Sequence, residues 1–363
     1  MKILKRIAAL VLVMAMCLSF TGCYNEDLTW AAKNGNEEIP VGIYLYYLTL
    51  AIDEAAKNVD SNTEVLSAEI DGKSAEEWIR DRAYVYLQRY IWMDDVTDKL
   101  NLNLTQNEKE SAEYTATYLI QNYYTGFEDI GVSSDSFCKA YSEYNMLFKK
   151  LFDYYYNEGG EFEIPKDDLH DSYVDGKYCF EYVIASLTTT TDEYGKSRDM
   201  TEEEIETRRK SFDAFKKKVD TGYQDIEMCA EEMKIETQSQ TAPYTYVAAT
   251  DFNSGDTFPT ELVSGIPEMK EGETIIVEAA GQICLARKLS IEDSFVKAYD
   301  SSSDRLTMML DLKSDEFNEY IENKAAEEGA DIEMNDAVIK NYKLKDLITD
   351  KNRMGTKIAV SEN

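Results

Sequence analysis

The sequence predicts an α+β protein: a helical domain drawn from both ends of the chain, with a smaller mixed domain inserted in it. Three observations predict this. Five prolines and 17 glycines against 26 tyrosines in 363 residues leave few helix breakers. Apolar residues recur at helical spacing from about 40 to 175. That period gives way to short aromatic and β-branched runs over 177–291, and helical spacing returns over 292–363.

The elements follow in chain order. Lys2, Lys5 and Arg6 precede an apolar run from Ile7 to Phe20. This run is short of the roughly 20 residues that a mature membrane helix needs, and it is flanked like a leader. It ends in Phe20-Thr21-Gly22-Cys23, which resembles the bacterial lipobox, although Phe20 stands where that pattern has leucine. The resemblance implies a leader over 1–22, lipidation of Cys23, and anchoring by the acyl chains carried there. An ordinary secretory leader with an incidental cysteine is the alternative. Residues 23–39 are polar with scattered charge and read as a tether.

The helical domain is expected over 40–176. Pro40 precedes the apolar run Val41–Ala56. Ser74-Ala-Glu-Glu77 and Thr105-Gln-Asn-Glu108 are capping-box patterns, in which a hydroxyl and a carboxylate satisfy the free N–H groups of a first turn. Ser134 opens another helix that Gly159-Gly160 ends, and a short helix over 166–174 carries His170, the single histidine. In the middle domain, Tyr178–Leu187 reads as a strand, and Thr201-Glu-Glu-Glu204 caps a helix running to Asp220. A second helix spans 225–234. Tyr244–Ala248 is a strand, Phe258–Ser264 a short helix, and Thr274–Glu278 and Ile283–Leu289 are the last strands. The order is β-α-α-β-α-β-β. The final helix carries Phe295, Leu306, Met309, Leu310, Phe317, Tyr320 and Ile321 on one apolar side. It is expected to pack back on the first helices, which makes the middle domain an insertion.

Composition excludes several functions. A formal net charge of −32 leaves no basic footprint for nucleic acid. One histidine rules out a histidine-pair active site and histidine-rich zinc sites and leaves a single residue, His170, for any Ser–His–Asp hydrolysis, which it nearly removes from consideration. The acidic side chains show no loop with spaced calcium ligands, so neither a metal nor a cofactor is expected. Cys138, Cys179, Cys229 and Cys284 contain no C-x-x-C pair. An oxidising compartment permits disulfides among them, but spacing alone cannot pair them.

Leader, helical domain, mixed insert and returning helix together resemble the PrsA/SurA-type extracytoplasmic foldases over nearly the whole mature chain. Pro40-Val-Gly-Ile-Tyr44 resembles the start of their first long helix. Ser211–Met233 resembles the helix pair of the parvulin (PpiC-type) peptidyl-prolyl isomerase domain. Phe258-Pro-Thr-Glu-Leu262, with Ile266, Met269 and Lys270-Glu-Gly-Glu-Thr-Ile275, resembles its Phe-Glu…Gly-Glu-Ile run. The resemblance implies a pocket with a histidine on the first strand and another on the last. Those positions fall at Tyr182 and at Cys284, within Gln282-Ile283-Cys284. The family's pocket methionine falls on Ser254, and its phenylalanine on Phe258. With both histidines and the methionine replaced, the domain is expected to lack isomerase activity.

Binding then remains. The expected function is a membrane-anchored, extracytoplasmic chaperone or foldase, with unfolded or partly folded exported proteins as partners. An active, divergent isomerase is the first alternative, and a solute-binding lipoprotein of a transporter the second. Tyrosine offers a large contact area with a polar tip, so Tyr44, Tyr47, Tyr86, Tyr90, Tyr124 and Tyr155 are candidate client contacts, although each also fits a core stripe. The consecutive Tyr154, Tyr155 and Tyr156 lie about 100° apart around a helix, so at least one must be exposed or used in a domain contact.

Overall fold

The computed structural model describes residues 29–60, 62–192, 194–237, 239–252, 258–328 and 332–348. Leader, lipobox and Cys23 lie outside these residues, as does Ser254. The chain is α+β and forms two compact units. One is drawn from 1–155 and 314–363, the other from 156–313.

The first unit begins where a tether was expected. Strands β1 (Trp30–Asn34) and β2 (Glu37–Pro40) form an antiparallel hairpin through Gly35, whose φ of +61° suits glycine. Strand β11 (Ile332–Met334) pairs with the free edge of β1. Ala31, Ala32 and Ile39 are buried. Residues 30–39 are therefore part of the fold and not a tether. Their few apolar side chains alternate over too short a span to stand out among the charges.

Helix α1 (Val41–Lys57) is buried on nearly every side, as a helix apolar all round must be. Against it packs α2 (Ala75–Lys99), whose buried residues Ala75, Ile79, Ala83, Leu87 and Ile91 recur every four positions. A two-stranded hairpin, β3 (Glu69–Ile70) and β4 (Lys73–Ser74), leads into α2, and Ser74 caps that helix by accepting from Glu77 N. Helix α3 (Gln106–Asn122) carries the full capping box of Thr105 and Glu108. Helix α4 (Ser134–Phe137) is capped by Ser133, one residue before the expected start, and passes into a π-helical turn (Cys138–Glu143) before α5 (Tyr144–Tyr156).

The second unit holds the expected element order, from 178 to 289. Its sheet contains β5 (Tyr178–Ser186), β8 (Tyr244–Thr250), β9 (Thr274–Ala279) and β10 (Gln282–Leu289) in the order β8-β5-β10-β9, with every pair antiparallel. The loop read between Thr188 and Asp199 contains a small hairpin of β6 (Thr189–Thr191) and β7 (Ser197–Asp199). Alternation along the strands makes two cores. Val183, Ala185, Ile283 and Leu285 meet Phe212, Phe215, Cys229 and Met233 of α7 (Glu202–Asp220) and α8 (Ile226–Thr237). Phe180, Cys284, Ala286 and Val277 face the other way, under Leu262 and Ile266 of α9 (Thr260–Glu268).

This unit is wider than the expected 177–291. Helix α6 (Lys166–Val174) belongs to it, and so does α10 (Ile291–Asp300). The two pack on each other through the rings of His170 and Phe295, with centroids 4.9 Å apart. The Tyr173 hydroxyl lies 2.8 Å from Ser294 Oγ, and Ser294 donates to the Ala248 carbonyl. Phe295 was expected on the returning helix that packs on the first unit, but it serves this core instead. The return begins later, within α11 (Ser302–Glu328), where Phe317 meets the rings of Phe148 and Phe152.

Candidate functional site

Of the positions assigned by resemblance, Tyr182, Phe258 and Cys284 come together on one face of the second unit's sheet, while Ser254 lies outside the described residues. Tyr182 stands on β5 and Cys284 on β10, two positions apart in register: Tyr182 opposes Ala286, and Cys284 opposes Ile184. Phe258 lies just before α9 and packs against the same core. The rings meeting Phe258 are Phe180, at 5.6 Å, and Phe252, at 5.7 Å. Phe180 also stacks on Tyr182 at 6.0 Å.

This face is an aromatic core more than a receptive pocket. Cys284 is 1% exposed, and burial pushes its thiol up to about 12, so at neutral pH it is neither a thiolate nor a base. Lys288 lies on the same face, but its ammonium donates to the Pro267 and Met269 carbonyls at 3.1 and 2.7 Å. Glu181 points to the opposite face, where it accepts from Arg287 and, at 2.8 Å, from the Tyr244 hydroxyl. All four described cysteines are free and buried. Burial also raises the Cys138 and Cys229 thiols to about 11.

The candidate tyrosines divide. Tyr44 and Tyr47 are buried, at 3% and 4% exposure, and do not form an exposed wall. Tyr90 and Tyr124 are partly buried against the same core. Tyr155 packs against the rings of Phe317 and Tyr320. Of the consecutive tyrosines, Tyr154 is about half exposed and Tyr156 is buried.

Tyr47 and Tyr86 nevertheless share a cavity of about 320 Å³ in the first unit. It is lined by Tyr46, Tyr141, Tyr144, Leu50 and Ala140 as well, together with Arg89, Asn145 and Asn318. Tyr47 and Tyr86 stack at 6.0 Å, and the Tyr47 hydroxyl donates to the Ala140 carbonyl at 3.3 Å. The π-helical turn supplies Ala140 and Tyr141. Its wider turn rotates the following side chains away from ordinary helical register and brings Tyr144 into the lining.

The electrostatics of this cavity are specific. Burial holds the phenols of Tyr46 and Tyr47 well above their ordinary value, and burial with the Glu54 hydrogen bond raises Tyr86 to about 12. Burial also raises Tyr144, against the opposing pull of Arg89. The phenols are therefore neutral hydrogen-bonding groups. Arg82 engages Glu54 at 2.8 Å and both oxygens of Glu322 at 2.9 and 3.0 Å. Arg89 donates to Asn318 at 2.5 Å and lies 3.8 Å from Glu322. Its Nε and the Tyr144 hydroxyl are both shut off from solvent, and Arg89 is the side-chain partner of the buried Tyr144 phenol. Sequence reading missed Tyr141, Tyr144 and Arg89. Helical periodicity cannot register residues beside a π-turn, and an arginine among charged neighbours carries no signal of burial.

A second cavity, of about 390 Å³, lies in the second unit between Leu169, Tyr173, Ala248, Ala298 and Met308, with Asp304 and Asp311 also lining it. Among the described residues, no group of acidic, histidine or cysteine side chains could hold a metal ion, and no helix is long and apolar enough to cross a membrane.

No protein-family profile matches the chain. No curated protein matches it either. Among solved structures, it is similar to PrsA from Bacillus subtilis, at 13% identity over 78% of this chain and 98% of that one, with a TM-score of 0.37. It is also similar to the peptidylprolyl isomerase PrsA from Bacillus cereus, at 14% identity over 80% of this chain and all of that one, with a TM-score of 0.24.

Proposed function

We propose that this chain is a membrane-anchored, extracytoplasmic chaperone or foldase for exported polypeptides, and that its sheet-bearing unit is a parvulin-like scaffold without isomerase activity. The β-α-α-β-α-β-β order of that unit, nested between two segments of the first, supports the scaffold. The observation that carries the loss of activity is the filled face. Phe180 and Phe252 occupy the space against Phe258, and the former histidine positions hold a phenol and a buried, protonated thiol. Rotating an X–Pro bond means overcoming about 18–20 kcal/mol of amide resonance, which needs a pocket for the ring and polar groups aimed at the amide. The anchor follows from the lipobox-like Phe20–Cys23, and the location from the leader. Client binding rests on the tyrosine-lined cavity, whose neutral phenols suit apolar side chains of varied shape.

A proline-containing peptide assay tests the first part. No acceleration above the uncatalysed rate is expected, and acceleration lost in Cys284→Ala or Tyr182→Phe would establish the divergent isomerase instead. Aggregation of an unfolded client tests the second part. Suppression near stoichiometric ratio is expected, and no effect at excess removes the chaperone reading. The solute-binding reading is disfavoured because every strand pair among the described residues is antiparallel. Thermal stabilisation by a sugar or amino acid would revive it.

A further inference from the structure

We propose that the cavity of about 390 Å³ in the second unit is a further client contact: it seats one large aliphatic side chain of an extended segment whose neighbouring residues are lysine or arginine, and Asp304 and Asp311 receive the cations. This deepens the chaperone reading, rests on it for the source of the segment, and is independent of the tyrosine-lined cavity.

The walls of this cavity are carbon. Leu169, Ala248, Ala298 and Met308 are joined by the Tyr173 ring, whose hydroxyl is engaged 2.8 Å from Ser294 Oγ. The volume falls among those of small-ligand pockets and takes a leucine-sized side chain with the stem of a neighbour. The rim is acidic. Asp304, Met308 and Asp311 recur at i, i+4 and i+7, so they share one face of α11, in the part of that helix that belongs to the second unit. At 1.5 Å per residue the two carboxylates stand about 10 Å apart along the axis, with Met308 between them. Both aspartates are exposed, and among the described residues neither is in an ion pair. Asp304 accepts from Ser303 Oγ at a long 3.5 Å. The adjacent Arg305 donates instead to the Tyr299 carbonyl, at 3.1 Å, and lies over the Tyr299 ring. Lys177 also lines the cavity, with its ammonium donating to the Ser172 carbonyl at 2.9 Å. Two carboxylates against one engaged ammonium leave the rim negative, in a chain that carries −32, so a basic segment is held and an acidic one repelled. A lysine or arginine beside the seated residue lays its stem along the apolar wall and keeps its charged head at the rim.

The test uses the full chain at physiological salt and four probes. Three are N-acetyl tripeptide N-methylamides, Lys-Leu-Lys, Lys-Ala-Lys and Gln-Leu-Gln. The fourth is n-hexylamine, which has an apolar body and an ammonium but no peptide groups. Ligand-observed NMR measures each affinity. Saturable binding of Lys-Leu-Lys is expected, several-fold tighter than any other probe. Asp304→Asn with Asp311→Asn is expected to weaken Lys-Leu-Lys about fivefold, as two exposed ion pairs allow, and to leave Gln-Leu-Gln and the melting temperature unchanged. Thr307 is an exposed lining residue, and Thr307→Trp is expected to obstruct the cavity and remove Lys-Leu-Lys binding. Lys-Ala-Lys binding as tight as Lys-Leu-Lys would reduce the effect to bulk charge attraction and overturns the proposal. Gln-Leu-Gln binding as tight as Lys-Leu-Lys overturns it too, as does an unaltered affinity in the double aspartate variant. Hexylamine binding as tight as Lys-Leu-Lys would assign the cavity to free amines and not to polypeptide. If any of these occurs while aggregation suppression persists, the chaperone reading survives and only this site falls.

Discussion

Gly42→Ala sets two effects of opposite sign against each other. Gly42 is the second residue of α1, and alanine there is favoured by intrinsic helix propensity, by at most about 1 kcal/mol and less near a helix end. A β-carbon at this position would lie 2.3 Å from Ser136 Oγ, 2.8 Å from Ser136 Cβ and 3.1 Å from the Gly131 carbonyl oxygen. Ordinary carbon contacts are about 3.5–4.0 Å, so a rotamer change at Ser136 relieves the first clash but not the second. Backbone must move by several tenths of an ångström, and overpacking of this kind costs about 1–3 kcal/mol. The steric term wins, leaving a net loss of about 1–2 kcal/mol. The three tryptophans, Trp30, Trp78 and Trp92, all lie in the first unit, so their fluorescence follows its unfolding apart from the second. With a urea m-value of about 2 kcal/mol/M, the midpoint should fall by about 0.5–1 M. Adding Ser136→Gly should restore part of the loss, because it removes both of the nearest atoms, whereas Ser136→Ala should restore less. A Gly42→Ala protein as stable as the parent, or a double variant no better than the single, would refute the close approach of α1 to α4.

Arg287→Met should destabilise the second unit by about 3 kcal/mol in circular-dichroism denaturation, since Glu181 is 6% exposed and would keep only the Tyr244 hydroxyl. Pairing it with Glu181→Gln should recover part of that loss, and additive losses would argue against the ion pair. His170, the single histidine, donates one imidazole resonance to the NMR spectrum, and its midpoint should lie above 6.5 because Glu292, at 2.8 Å, and Asp171, at 3.2 Å, favour the charged ring. Its folded-state value is raised, so this link between α6 and α10 is fully present below about pH 6.5 and is lost as pH rises through the raised value. Glu292→Gln should lower the midpoint. A thiol reagent at pH 8 should leave all four described cysteines unmodified until denaturant is added, since each is buried. Reaction of one in the native state would show that its element opens.

Local chemistry made most elements legible. The hydroxyl–carboxylate spacings at Thr105 and Thr201 specify helix starts wherever they occur, and both form as full capping boxes. The density of aromatic and β-branched residues marks Tyr178–Leu187 as a strand, and the side-chain period of two in extended backbone then sends its residues into two separate cores. Charge and histidine count excluded whole classes of chemistry without reference to any fold. What the sequence concealed depends on partners distant along the chain. The hairpin at 30–40 is stable only because a third strand arrives from 332–334 and a core covers Ala31 and Ala32. Phe295 reads as one side of a returning helix until His170 is seen against it. The cavity of five tyrosines and Arg89 exists because a π-turn shifts Tyr144 out of helical register and because α11 brings Asn318 to the guanidinium. Periodicity records which side of an element is apolar. It does not record what that side meets, and burial, pairing and the neutral phenols at the cavity all depend on that meeting.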